Sequence, residues 1–89
     1  MYSIRLLSDA NRELARLDKT VANRIVRKLR WLADNLDDLS PEALKGEFSG
    51  LYKLREGDYR ILYEILHFEE TIIVHLIGHR REVYKTKRH

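Results

Sequence analysis

Three arginines, a lysine, a histidine and a tyrosine in the second half of this 89-residue chain have the types needed to grip and cut a phosphodiester. They are Lys53, Arg55, Arg60, His79, Arg80 and Tyr84. Lys53 and Arg55 stand two residues apart, a spacing that puts both on one face of a strand. Arg60 follows just past a tight turn, which brings it onto the adjacent strand. Cations gathered this closely repel one another, and folding alone gives little reason to collect them. A phosphate between them relieves the repulsion and accepts paired hydrogen bonds from arginine.

RNA brings its own nucleophile, the 2′-hydroxyl. Cleavage then needs a proton acceptor, a donor for the leaving 5′-oxygen and a stabiliser of the added negative charge; none of these requires a metal. Lysine titrates ordinarily near ~10.4, and neighbouring cations lower that value toward a usable base. Arginine stays protonated and so serves as a charge stabiliser, and loss of one such donor typically costs ~10²–10³-fold in rate. His79, of a type that titrates near ~6.5, suits the general acid. Tyr84 can stack on a base.

Singly, each of these residues has an ordinary role, as a solvated cation, a structural histidine or an aromatic at the edge of the core. The functional reading rests on their convergence. His75 and His79 are four apart but fall at the end of a strand, and Glu82 does not complete a ligand set, so no metal site is expected. With no cysteine in the chain, disulfides, thiolate zinc sites and a cysteine nucleophile are all excluded. No Gly-rich phosphate loop and no Ser–His–Asp arrangement is present, and no cofactor is expected.

The elements that must position the cluster follow from periodicity. Tyr2–Leu7 reads as a first strand, and Ser8 as the N-cap of a short helix carrying Ala10, Leu14 and Leu17. A longer helix begins near Thr20, with Val21, Ile25, Leu29, Leu32 and Leu36 forming one apolar stripe. Its other face carries Arg24, Arg27, Lys28 and Arg30, which reads as a solvated face or as a contact for RNA or an acidic partner. Ser40, Pro41 and Glu42 have the pattern of an N-cap, N1 and N2 opening a helical turn. From Leu51 the period becomes two. Tyr52 and Leu54 alternate with Lys53 and Arg55, and Glu56–Asp58 forms a turn. Tyr59, Ile61, Tyr63 and Ile65 alternate with Arg60, Leu62 and Glu64. His67–Glu70 turns again, and Thr71–Ile77 is a last strand that Gly78 ends.

The expected fold is therefore α+β, with an N-terminal strand, a two-helix hairpin and a three-strand antiparallel meander. They form one small sheet with the helices on one face and the other face free. A chain of this length makes a single domain, residues 1–89. The net charge is +3, with a cationic excess at the C-terminus in Arg80, Arg81, Lys85, Lys87 and Arg88, a distribution that favours a polyanion or an acidic protein. The apolar start of the chain is too short and too interrupted for a signal peptide or a membrane span, so a cytosolic location with no membrane partner is expected.

The segments LKGEFSGLYKLREGDYRILYEI, from Leu44 to Ile65, and IGHRREVY, from Ile77 to Tyr84, resemble the RelE/ParE toxin superfamily, and within it the RelE-type endonucleases. The strand–helix–helix pattern before them agrees. The resemblance implies the toxin of a type II toxin–antitoxin system, a ribosome-dependent, metal-independent endoribonuclease cutting mRNA in the A site. Its implied partners are a RelB-like antitoxin, the ribosome and mRNA. It places the active positions on Lys53, Arg55, Arg60, Arg80 and Tyr84. The best-known pattern has lysine at both strand positions, whereas Arg55 occupies the second here, which moves the general-base burden onto Lys53 or another group such as Glu42. A related branch uses a glutamate upstream of the strand, and Glu42 resembles it, although the pattern around it favours the start of a helical turn with Glu42 at N2. The alternative function is that of the ParE branch, non-enzymatic poisoning of DNA gyrase.

Overall fold

The computed structural model describes residues 1–85, so Lys87 and Arg88 of the basic tail lie outside the described residues. The elements in order are β1 (Ser3–Leu6), α1 (Ser8–Arg16), α2 (Lys19–Asn35), β2 (Glu42–Ala43), β3 (Tyr52–Glu56), β4 (Tyr59–Leu66) and β5 (Thr71–His79). Short 3-10 turns occupy Leu36–Asp38, Gly46–Phe48 and Val83–Lys85.

The α+β class and the helix-covered sheet agree with the sequence. The strands run in the order β1-β5-β4-β3-β2, and β3, β4 and β5 are the expected antiparallel meander. β1 joins it in parallel, Ser3 opposite Thr71 through Leu6 opposite Val74. The helices return the chain to the sheet, so the first strand can lie along the last.

Several local expectations change. Ser8 is the first helical residue rather than the cap; Leu7 precedes it, and its N–H bonds to the Val74 carbonyl, so the chain leaves the strand directly into α1. The cap of α2 is Asp18, whose carboxylate accepts from the Thr20 N–H at 3.1 Å. Ser40–Glu42 does not open a helical turn. Glu42 pairs with Lys53 and Ala43 with Tyr52, making a two-residue edge strand, and Pro41 just before it needs no ladder donor. Gly78 does not end β5, which continues to His79.

Two cores sandwich the sheet. Ile25, Leu29 and Leu32 of α2 with Ala10 of α1 meet Ile61, Tyr63, Ile72, Val74 and Ile77 on one face. The second face was expected to be free, and instead Phe48, Leu51, Leu62, Leu76 and Val83 form a smaller cluster there. The segment between β2 and β3 and the C-terminal turn fold over part of it. Gly78 permits this close approach, because a Cβ at that position would lie 3.3 Å from the Val83 Cβ.

Gly78→Leu is therefore expected to push the Val83–Lys85 turn outward. A urea titration should show stability lowered by about 1–3 kcal/mol, the usual range for overpacking; an unchanged midpoint would show that the turn yields without cost.

Candidate functional site

Along β3 the alternation gives Tyr52 and Leu54 to the helix-side core and leaves Lys53 and Arg55 on the second face. Lys53 is opposite Leu62, and Arg55 is directly opposite Arg60, which is in turn opposite Gly78. The β3–β4 turn is only Gly57 and Asp58, with Glu56 paired to Tyr59. Gly57 has φ 58°, a conformation glycine adopts without strain. This short connection fixes the register that stacks the arginines.

Like charges directly across a strand pair are destabilising, and the Glu42 carboxylate and two backbone carbonyls relieve them here. Glu42, brought alongside by β2, places one carboxylate oxygen 2.9 Å from Lys53 Nζ and the other 3.5 Å from an Arg55 guanidinium nitrogen. Arg60 donates to the carbonyls of Gly57 and Tyr59, each at 2.9 Å. Arg80, just past β5, sits at the same turn: its backbone N–H bonds to the Asp58 carbonyl at 2.7 Å, and its Nε lies 3.7 Å from the Asp58 carboxylate.

Tyr84 completes the cluster. The 3-10 turn carries its ring to an edge-on contact with Phe48, centroids 6.0 Å apart, and leaves it 37% exposed. Lys53 Nζ lies 5.8 Å from the centroid of that ring. The Lys53 side chain is only 15% exposed, held between the tyrosine and Glu42. A flat aromatic thus stands beside a row of cations, with Tyr84 accessible at the rim.

His79 does not join them. It pairs with Tyr59 across the sheet and meets the Tyr59 ring edge-on at 5.7 Å, on the helix side. Its Nδ1 accepts the Arg81 N–H at 3.2 Å. Glu42, by contrast, lies at the centre of the cluster. The local sequence hid this because a two-residue strand is too short to show a period, and Ser40–Pro41 imitates a helix start.

The environment of Glu42 holds its carboxyl below the ordinary value of 4.5. The hydrogen bond from Lys53 is the largest cause; desolvation opposes it, and the charges of Lys53, Arg55 and Arg60 add to the lowering. Tyr63 moves the other way, pushed up to about 12 by burial and then by Tyr52, so it keeps its proton at neutral pH. Among the described residues no group of histidines and carboxylates could hold a metal ion, and no helix is long and apolar enough to cross a membrane.

Residues 4–84 match the family model of the ParE toxin of type II toxin–antitoxin systems. The toxin RelG of Mycobacterium tuberculosis is 28% identical, over 94% of this chain and 97% of its own length. Among solved structures, a chain of the toxin–antitoxin complex RelBE2 from the same organism superposes with a TM-score of 0.79 at 26% identity. That match covers 89% of this chain and 98% of the other. The isolated E. coli RelE toxin gives a TM-score of 0.75 at 24% identity, covering 96% of this chain and 93% of that one, a likeness of fold. The chain belongs to the ParE toxin family, within the RelE/ParE superfamily of type II toxins.

A depressed Glu42 carboxyl contributes stability above its unfolded value, and this is lost as pH falls through the lower folded value. A carboxyl-carbon NMR titration should place the Glu42 midpoint below 4.5, and Lys53→Met should move it back up. A midpoint unmoved by that substitution would show that Lys53 does not hold the carboxylate.

Proposed function

We propose that this toxin is an endoribonuclease that cuts mRNA in the ribosomal A site, and that a cognate antitoxin neutralises it. The observation that carries the reading is the gathering of Lys53, Arg55 and Arg60 on one sheet face around Glu42, with Tyr84 at its edge. The scissile phosphate binds among Lys53, Arg55 and Arg60, with Arg80 closing from the adjoining turn, and Tyr84 stacks on a neighbouring base.

The 2′-oxygen attacks phosphorus and the bond to the 5′-oxygen breaks, leaving a 2′,3′-cyclic phosphate and a 5′-hydroxyl. Glu42 is the anionic group of the cluster and takes the 2′-hydroxyl proton; Lys53 supplies a proton to the departing 5′-oxygen. A carboxyl held low is a weak base, but an arriving phosphate draws Lys53 and Arg55 toward itself and restores basicity to Glu42. The arginines stabilise the added charge. With its ring on the other face, His79 is assigned no proton in this scheme.

Solved RelB–RelE antitoxin–toxin complexes of the same fold support an antitoxin partner. An acidic amphipathic segment would quench the cationic face while its apolar side docks. The ParE name of the matching family favours one second reading, binding and poisoning of DNA gyrase without chemistry.

In a reconstituted translation system, wild-type protein should produce discrete, ribosome-dependent mRNA 5′ ends by primer extension. Lys53→Ala, Glu42→Gln and Arg80→Ala should each reduce cutting, by ~10²–10³-fold where a charge-stabilising donor is lost. Intact message, together with inhibited gyrase supercoiling in a parallel assay, would replace this reading with the second.

A further inference from the structure

Lys53 is far more enclosed than the arginines on either side of it. Its side chain is 15% exposed, against 60% for Arg55 and 53% for Arg80. The Tyr84 ring stands near its Nζ, 5.8 Å away at the centroid, and the Glu42 carboxylate lies against it at 2.9 Å. The other oxygen of that carboxylate is 3.5 Å from Arg55. An anion that reaches Lys53 and Arg55 together must therefore take the place of Glu42.

The strand that carries Glu42 keeps the carboxylate there. β2 pairs Glu42 with Lys53 and Ala43 with Tyr52, and the next N–H, of Leu44, bonds to the Leu51 carbonyl at 2.9 Å. Leu44 itself rests on the second core. The backbone is thus fixed, while the half-exposed side chain has solvent to turn into when displaced. Asp58 is a contrast: its carboxylate stands 3.7 Å from one arginine, and both side chains are more than half exposed. Contact with the cations lowers the Glu42 carboxyl, so at neutral pH it is charged and the place beside Lys53 is filled.

We propose that Glu42 determines which phosphates the site accepts, because it competes with them for Lys53 and Arg55. A phosphate displaces it when a nucleotide strand also brings a base to Tyr84 and a further contact to Arg80. Free phosphate anions have neither hold and are turned away. A cationic cluster without such a competitor would concentrate any small anion in reach. The inference rests on the phosphate site of the proposed function, but it needs neither cleavage nor the ribosome.

The test follows the backbone amide signals of Lys53, Arg55 and Arg60 by NMR. The protein is titrated with dimethyl phosphate and, separately, with a trinucleotide methylated at every 2′-oxygen; thermal melts verify that each variant folds. Dimethyl phosphate should bind Glu42→Gln about tenfold more tightly than wild type, the size expected for two partly exposed ion contacts removed. The gain should vanish in Glu42→Gln/Lys53→Met and be absent from Glu13→Gln, which removes the same charge from α1. The trinucleotide should bind wild type more tightly than dimethyl phosphate does, and lose that advantage in Arg80→Ala/Tyr84→Ala. Equal affinity of dimethyl phosphate for wild type and Glu42→Gln, or a gain that survives without Lys53, would overturn the inference and leave the phosphate site standing. So would a trinucleotide that binds no more tightly than dimethyl phosphate. If neither ligand moves these signals in any variant, the phosphate site of the proposed function falls, and this inference with it.

Discussion

A slip of β3 by one residue against β4 would turn Lys53 and Arg55 into the helix-side core and take Tyr52 and Leu54 out of it. The register of that hairpin therefore governs everything on the cationic face. A two-residue turn with glycine in the left-handed region sets it. Burial then enforces it from both sides, because Ile61 and Leu62 point in opposite directions and both are fully buried. The Tyr52 and Tyr63 rings, 5.7 Å apart across the strands, add a contact that only this pairing allows. The apolar residues carry the stability, and the cations are held in place against their own repulsion.

The second small core serves the same end. Without it the sheet would present its cations on an open surface, and Tyr84 would have nothing to rest on. Leu62, Leu76 and Val83 anchor the C-terminal turn, and Phe48 supplies the ring against which Tyr84 leans. The absence of a side chain at Gly78 lets that turn lie close to the sheet. A backbone allowance of one residue thereby decides where an aromatic stands relative to Lys53. The ion pairs of Glu42, whose own side chain is half exposed, contribute little to stability; on the proposed function they hold the cations until a phosphate takes the place of the carboxylate.

Much of this was legible in the sequence because it rests on long, regular patterns. The stripe from Val21 to Leu36 marked the packed face of α2, and the alternation from Tyr52 to Ile65 put Lys53, Arg55 and Arg60 together on the other sheet face. What stayed hidden depended on contacts distant in sequence or on elements too short to have a period. The parallel pairing of β1 with β5 joins residues nearly seventy positions apart along the chain. β2 has two residues, so only its partner strand reveals that Glu42 belongs with Lys53. His79 shows the opposite failure: being next to Arg80 in sequence suggested a shared site, but β5 continues through Gly78 and turns its ring to the far face.

The most direct test of the account is a crystal structure of the protein with a short RNA whose 2′-hydroxyl is methylated at the cleavage position. The account predicts a backbone phosphate among Lys53, Arg55 and Arg60, with the Glu42–Lys53 contact opened and a base against Tyr84. An RNA bound elsewhere, with Glu42 still on Lys53 and Arg55, would contradict it.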